Sequence, residues 1–245
     1  MLKRLFDIFA SFFGLLILSP ILILFLLLIW LQDFHSPFYF APRVRRKGEM
    51  FNMVKLRSMV SNADKIGGTS TAGTDKRITW VGQFIRSLKL DEFSQLWNVL
   101  IGDMSLVGPR PQAAFDANLY TDEENKLFEI RPGITDFSSI VFADEGEILA
   151  GSSDADLSYN QLIRPWKSRL GLYYVEHNSF RIDFKLVCLT VVGIFSRKRS
   201  LSGVQNLLRR LGADAQLIRI AGRQDKLEPF PPPGSDRIVQ ELIPS

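Results

Sequence analysis

IFASFFGLLILSPILILFLLLIWL, residues 8–31, is a run of 24 residues without a single charge, and the way it folds decides what kind of protein this is. As one straight helix it would reach about 36 Å, more than the roughly 30 Å hydrocarbon core of a bilayer. A cleaved leader would need a shorter apolar region, about 7 to 15 residues, and a small-x-small site after it; this stretch has neither. The segment is therefore predicted to enter a membrane. Ser19 and Pro20 divide it into two legs, 8–18 and 21–31. Pro20 has no N–H for the carbonyl of Leu16, and its ring crowds that carbonyl, so a kink or break is expected there. Each leg alone covers about 16 Å, roughly half the hydrocarbon depth. Lys3 and Arg4 precede the segment, and Arg43, Arg45, Arg46 and Lys47 follow it. The positive-inside bias then puts both flanks on the cytoplasmic side, as in a re-entrant hairpin. An ordinary spanning helix with a proline kink fits these residues equally well.

With 245 residues, 46% of them hydrophobic, the chain can bury the core of one domain plus appendages. A net charge of +4 calls for an anionic partner: nucleic acid, a phosphorylated metabolite or anionic lipid. No recognised nucleic-acid module accompanies the basic residues, so no nucleic-acid partner is expected. The one cysteine, Cys188, excludes an internal disulfide and a cysteine metal cluster.

Past the apolar segment, FYF (38–40) and FNMVKLRSM (51–59) read as short strands joined by a turn through Lys47, Gly48 and Glu49. Alternation puts Lys55 and Arg57 on one face and Val54 and Leu56 on the other. GGTSTAGTD (67–75) reads as a flexible loop without the ending of a phosphate-binding P-loop. Trp80, Val81, Phe84, Ile85 and Leu88 fall at helical spacing and bring Arg86 with them. Thr121 and Glu124 form a capping box ahead of Leu127, Phe128 and Ile130, and Arg131, Pro132 and Gly133 end that helix. Residues 173–177 look helical, and 182–195 form an apolar helix too short to span, expected along the membrane surface. The fold class expected is α+β: a mostly helical monotopic membrane protein with a small β-hairpin and surface amphipathic helices. Its parts would be a membrane helix-break-helix over 1–35, a catalytic domain over 36–196 and a loosely attached tail over 197–245, which includes the proline run 229–234.

The chemistry concentrates in LKLDEFSQLWN, 88–98, where Asp91 and Glu92 open an apolar helical face formed by Leu90, Phe93, Leu96, Trp97 and Leu100. Asp91 at a helix start would serve as N-cap. The same place surrounds it with free N–H groups and the positive end of the helix dipole, which keep it ionised and let a phosphate dock beside it. A carboxylate there can attack phosphorus while its neighbour holds a divalent cation through oxygen. Arg110, stiffened between Pro109 and Pro111, is a candidate phosphate clamp, and Lys55 and Arg86 are further candidates.

Taken together, KRLFDIFASFFGLLILSP (3–20), FNMVKLRSM (51–59), DKRITWVGQFIRSLKLDEFSQLWNVLIGDMSLVGPRP (75–111) and RPGIT (131–135) resemble the bacterial sugar transferases known as monotopic polyprenyl-phosphate phosphoglycosyl transferases. The resemblance covers about residues 3–196. It implies transfer of a sugar-1-phosphate from a UDP-sugar to polyprenyl phosphate at the cytoplasmic face of the bacterial inner membrane, with magnesium (Mg2+) as cofactor. It implies that Asp91 is the nucleophile of an aspartyl phospho-sugar intermediate, that UMP is released, and that Glu92 is the dyad partner and Mg2+ ligand. It also assigns Lys55, Arg86 and Arg110 to the substrate phosphates and Ser19-Pro20 to the membrane helix break. The family pattern departs at Ser94, where many members carry proline, and after RPGIT, where an expected arginine is missing from DFSSIVFADEGEILAG (136–151). Arg131 and Arg164 are the available substitutes. Asp154 and Asp156 mimic the DxD of glycosyltransferases that move a sugar without its phosphate, a weaker reading for a short acidic motif in a Gly/Ser-rich loop. The residues leave open which sugar is used and whether a homodimer forms.

Overall fold

In the computed structural model, which describes residues 2–63 and 75–241, the apolar segment forms one helix, α1 (Leu2–Asp33). It continues through Pro20. The carbonyl of Leu16, deprived of its partner by the proline, instead accepts a bond from the Ser19 hydroxyl at 2.7 Å. The expected interruption at Ser19-Pro20 is thus confined to a single backbone bond, because the residue before the proline supplies a replacement donor. One stripe of α1, through Asp7, Ser11, Leu22 and Ile29, is buried, and about half of the remainder is exposed, nearly all of it apolar.

Both ends of α1 are tied to the same body. Lys3 Nζ donates to Val107 O (2.9 Å), Tyr174 Oη (3.0 Å) and Asp183 Oδ2 (2.7 Å). Arg4 donates to the carbonyls of Val99 and Leu100, which end a short helix, and Asp7 accepts from Ser105 and the N–H of Leu106. At the far end Asp33 takes a two-pronged pair from Arg57, at 2.5 and 2.6 Å.

Strands β1 (Phe38–Val44) and β2 (Met50–Leu56) form an antiparallel hairpin in register from Phe38–Leu56 to Val44–Met50. The turn has Lys47 in the left-handed region at φ 63°. The first strand is longer and the second shorter than the residues suggested. Arg57 does not share the face of Lys55: β2 ends at Leu56, and the buried Arg57 side chain turns to Asp33. Next comes α2 (Trp80–Ser87), capped by the Thr79 hydroxyl. It turns Val81 and Ile85 onto Leu22, Ile29, Leu56 and Leu90, and leaves Trp80, Phe84 and Leu88 exposed. Two short helices follow, α3 (Leu90–Phe93) and α4 (Leu96–Ile101), and then β3 (Ser105–Val107), which pairs in parallel with β4 (Gly133–Thr135).

Between those strands lie α5 (Ala114–Asn118) and a 3-10 turn over Glu124–Glu129. The capping box exists: Thr121 N–H donates to Glu124 Oε2 and Glu124 N–H to Thr121 Oγ1. The segment is nonetheless 3-10 rather than α-helical, since Glu124 is fully buried and bound by Arg164 and Ser168. The remaining helices are α6 (Phe137–Val141), α7 (Glu145–Ile148), α8 (Ala155–Ser158), α9 (Arg164–His177), α10 (Phe180–Phe195), α11 (Arg197–Leu211) and α12 (Ala215–Ala221). A π-type turn over Tyr159–Ile163 leads into α9.

Their main core joins Phe137, Trp166, Leu170, Tyr174 and Leu186 to Leu201, Val204, Leu208 and Leu217. The stretch after 196 is therefore not loosely attached: Leu201, Val204, Leu207 and Leu208 recur at helical spacing and bury one face of α11. The proline run is also fixed, with Phe230 4.5 Å from Trp166 between ring centroids and Arg169 donating to Pro231 O. Helix α10 buries Ile182 and Leu186 while exposing Phe184, Val191, Ile194 and Phe195, the last at 85%. The architecture is mostly helical with a small antiparallel hairpin and one long apolar helix, consistent with a monotopic membrane protein.

Candidate active site

Asp91 and Glu92 owe their position to a reversal at Lys89, which takes the left-handed conformation at φ 53° between α2 and α3. A lysine held there costs on the order of 1 kcal/mol, and the turn drives Leu90 into the core below. Asp91 lies inside the first turn of α3. It is not the N-cap; that position belongs to Lys89, which makes no side-chain cap.

Side chains from α3 and α4 then fix the open edge of β2. Ser94 Oγ donates to the carbonyls of Asp91 (2.8 Å) and Val54 (3.1 Å). Asn98 accepts from the N–H of Val54 at 2.8 Å and donates to Asn52 O at 2.9 Å. Val54 is gripped on both its polar groups, and Lys55 next to it is delivered to Asp91. A proline at 94 could not make the Ser94 bonds, so the departure from the family pattern is put to use here.

Arg86 reaches the same place from α2, with Nε on Ser58 Oγ at 3.1 Å. Arg110 arrives on the loop after β3. A Cβ on Gly108 would meet the carbonyl of Arg131 at 2.4 Å, and one on Gly133 would meet the N–H nitrogen of Gly108 at 2.0 Å. Only glycine fits at this crossing, which locks the GPRP and RPG turns together. Gly133 N–H bonds to Pro109 O, Gln112 holds the carbonyl of Arg110, and the guanidinium stands 3.4 Å from Glu92 Oε1.

Lys55, Arg86, Asp91, Glu92 and Arg110, all singled out from the sequence, thus share one half-buried cluster. Burial pushes the Asp91 carboxyl up, Lys55 pulls it down, Glu92 pushes it further up, and Arg110 and Arg86 oppose. Burial and Arg110 lower Lys55 to about 8, against the pull of Asp91. Burial likewise draws Arg86 below its ordinary value despite Asp91 and Asp75. For Arg110 burial acts downward, but Glu92, Glu145 and Asp91 outweigh it and hold the guanidinium up. A desolvated carboxylate with three cations in its field is chemically able to act as a nucleophile towards a bound phosphate, whose oxygens the cations could hold.

For magnesium the fit is partial. Among the described residues no group of three or more His, Cys, Asp or Glu side chains could hold a metal ion. Two adjacent carboxylates suit an ion that keeps its waters and takes its other oxygens from a bound diphosphate, which is how Mg2+ is commonly held.

Sequence reading missed three neighbours. Glu145, which opens α7, is ion-paired with Lys167 of α9 and lies in the field of Arg110 and Lys55. The Tyr159 ring stands 5.4 Å from the Lys167 ammonium. Only Glu145 lies in the departure over 136–151; Tyr159 and Lys167 carried no signal. Neither candidate for the absent arginine joins the cluster: Arg164 is buried on Glu124, Asn160 and Leu119, and Arg131 is exposed, with its carbonyl at the Gly108 crossing. Asp154 of the DxD pattern caps α8 by accepting from Leu157 N–H. Residues 67–74 of the glycine-rich stretch lie outside the described residues.

Comparison with known proteins gives the family model for bacterial sugar transferases a match over residues 1–197. The chain is 36% identical over 191 residues to an uncharacterized sugar transferase, EpsL, of Bacillus subtilis, covering 78% of this chain and 85% of that one. It is 36% identical over 203 residues to an undecaprenyl-phosphate glucose phosphotransferase of Komagataeibacter xylinus, covering 80% of this chain and 36% of the relative. To an undecaprenyl-phosphate galactose phosphotransferase of Salmonella typhimurium it is 40% identical over 152 residues, 55% of this chain and 31% of the relative. The match thus spans about a third of the length of the last two.

Proposed function

From the premise that this chain belongs to the bacterial sugar transferase family, we propose that it transfers a sugar-1-phosphate from a UDP-sugar to polyprenyl phosphate by way of Asp91. A carboxylate oxygen of Asp91 attacks the phosphorus that bears the sugar, and the bond from that phosphorus to the UMP oxygen breaks, UMP leaving with the electron pair. The acceptor's phosphate oxygen then attacks the same phosphorus and releases the Asp91 carboxylate, giving a polyprenyl diphospho-sugar. Charge balances in both steps without a proton transfer, so the site needs cations more than a general base. Lys55, Arg86 and Arg110 supply them. Glu92, with Asp91, would hold Mg2+, which contributes further neutralisation of the diphosphate.

The observation that carries this reading is the gathering of three cations from three separate elements, β2, α2 and the loop after β3, around one raised carboxylate. Two of the relatives named above, those of Komagataeibacter xylinus and Salmonella typhimurium, act on undecaprenyl phosphate by their descriptions, which favours a long polyprenyl acceptor and a first step in polysaccharide assembly. Membrane placement follows from α1. Its N-terminal end binds Val107, Tyr174 and Asp183 while its other end binds Arg57, so both ends lie against one body. A helix crossing the bilayer would place its two ends on opposite sides. Contact of both ends with one body favours a catalytic domain that stays on one face of the membrane, with α1 unbroken through Pro20 and the site beside the exposed Trp80, Phe84 and Leu88.

Purified protein given a UDP-sugar and polyprenyl phosphate is expected to release UMP and form a polyprenyl diphospho-sugar. Release of UDP would mean transfer of the sugar alone and would overturn the proposal.

A further inference from the structure

We infer that Glu145 and Lys167, backed by the ring of Tyr159, form the wall that contacts the donor's sugar and sets which sugar is accepted. The inference rests on the donor site proposed above. Glu145 and Lys167 come from different helices, α7 and α9, and meet in a direct ion pair. The Lys167 side chain is 12% exposed, whereas that of Glu145 is 38% exposed. The phosphoryl transfer described above uses neither residue. A mostly buried ammonium carries a desolvation cost, and stability alone is weak ground for its retention.

A nucleotide sugar presents two unlike chemistries at the reacting phosphorus. The diphosphate is anionic, and Lys55, Arg86 and Arg110 suit it; a carboxylate would repel it. The sugar is a neutral ring of hydroxyl groups. An open carboxylate beside an ammonium offers it an acceptor and donors, and an aromatic face suits the ring's C–H groups. Glu145 is paired with Lys167 and lies within electrostatic reach of Arg110 and Lys55, so the pair stands on the side of the diphosphate cations where the sugar would fall.

The wall is also held rigidly. Asp144, immediately before Glu145, is paired with Arg197 at 2.8 Å and Arg223 at 3.4 Å. Arg223 lies 5.3 Å over the ring of Phe142, and Arg197 donates to Val141 O at 3.2 Å. On the other side, Trp166 precedes Lys167 and lies against Phe230. Residues after 196 therefore buttress both halves of the pair, and a pocket discriminates between epimers only when its walls cannot yield.

The test measures kcat/KM for UMP release from UDP-glucose, UDP-galactose and their two N-acetylamino counterparts, with inhibition by UMP measured in parallel. Glu145→Gln and Lys167→Met are expected to lower kcat/KM for the preferred donor roughly tenfold to a hundredfold, the worth of one hydrogen bond to a charged group. The other donors should change little, so the ranking compresses or inverts, with UMP inhibition unchanged. Glu145→Asp should recover part of the preference, and it carries the same test should the glutamine variant fail to fold. An equal loss across all four donors, or an unchanged ranking, overturns the inference. Absence of UMP release from the unaltered protein would sink the donor site itself, whereas release with an unmoved ranking sinks only the wall.

Discussion

Arg110 Nη1 stands 3.4 Å from Glu92 Oε1, so the cation proposed to clamp a phosphate is already engaged with the carboxylate next to Asp91, the proposed nucleophile. A ligand taking the guanidinium must compete with Glu92. Arg110→Lys keeps the charge and loses the forked donor set, and kcat/KM for UMP release should fall roughly tenfold to a hundredfold. An activity within twofold of the unaltered protein would show that Arg110 serves only to hold Glu92.

Asp91→Asn should lower turnover by about a thousandfold or more. Intact-mass measurement after mixing with UDP-sugar alone should show a phospho-sugar adduct on the unaltered protein and none on the variant. Because burial holds the Asp91 carboxyl up, its ionised form opposes folding: the unfolded chain gives up that proton at lower pH, and stability falls as pH rises past the usual carboxylate value. The asparagine variant is therefore expected to melt at an equal or higher temperature near neutral pH, with more of the difference lost in acid.

Lys55 is held at about 8, below its ordinary 10.5. Its ammonium is the form that attracts phosphate, so kcat/KM should decline as pH climbs through about 8, and Lys55→Arg should move that limb upward. Stability has the opposite sign. Unfolded chains retain the proton longer, so this group stabilises the fold increasingly between about 8 and 10.5. A flat kcat/KM profile up to pH 9.5 would contradict the assignment.

Topology can be read through the sole cysteine's absence. In a Cys188→Ala background, Leu2→Cys should react with an impermeant maleimide only after spheroplasts are broken open. Labelling of intact spheroplasts would place the N-terminus outside and make α1 a spanning helix.

Leu208 is fully buried between α11 and the main core. Leu208→Ala should cost about 2 to 5 kcal/mol in denaturant unfolding. Removing residues 198–245 should prevent recovery of folded protein, even though the family match ends at 197.

Local motifs made part of the cluster legible. Asp91 and Glu92 at a helix start and Arg110 between two prolines were readable from local pattern, as were the Thr121-Glu124 reciprocal bonds, whereas Lys55 and Arg86 were bare candidates to which the family resemblance gave a role. Glu145 and Lys167 were not legible, because an ion pair between two helices leaves no periodic trace. The same holds for Arg57, which reaches Asp33 because its strand ends at Leu56, three residues before the expected end. The fate of the C-terminal stretch was not visible: the proline run suggested a loose tail, whereas it lies against Trp166 and Arg169. Proline signals extended backbone, and it says nothing about whether an aromatic shelf waits for it.

Lys3 finds its carboxylate 180 residues downstream, at Asp183. A ribosome adding about 5 to 20 residues each second would expose the anchor some 9 to 36 seconds before that partner exists. During this interval the helix meets only its earlier partners, Arg57 at Asp33 and the Val99 and Leu100 carbonyls at Arg4. The anchor is therefore expected to be fixed in two stages, with its N-terminal lysine secured only once α10 has been made.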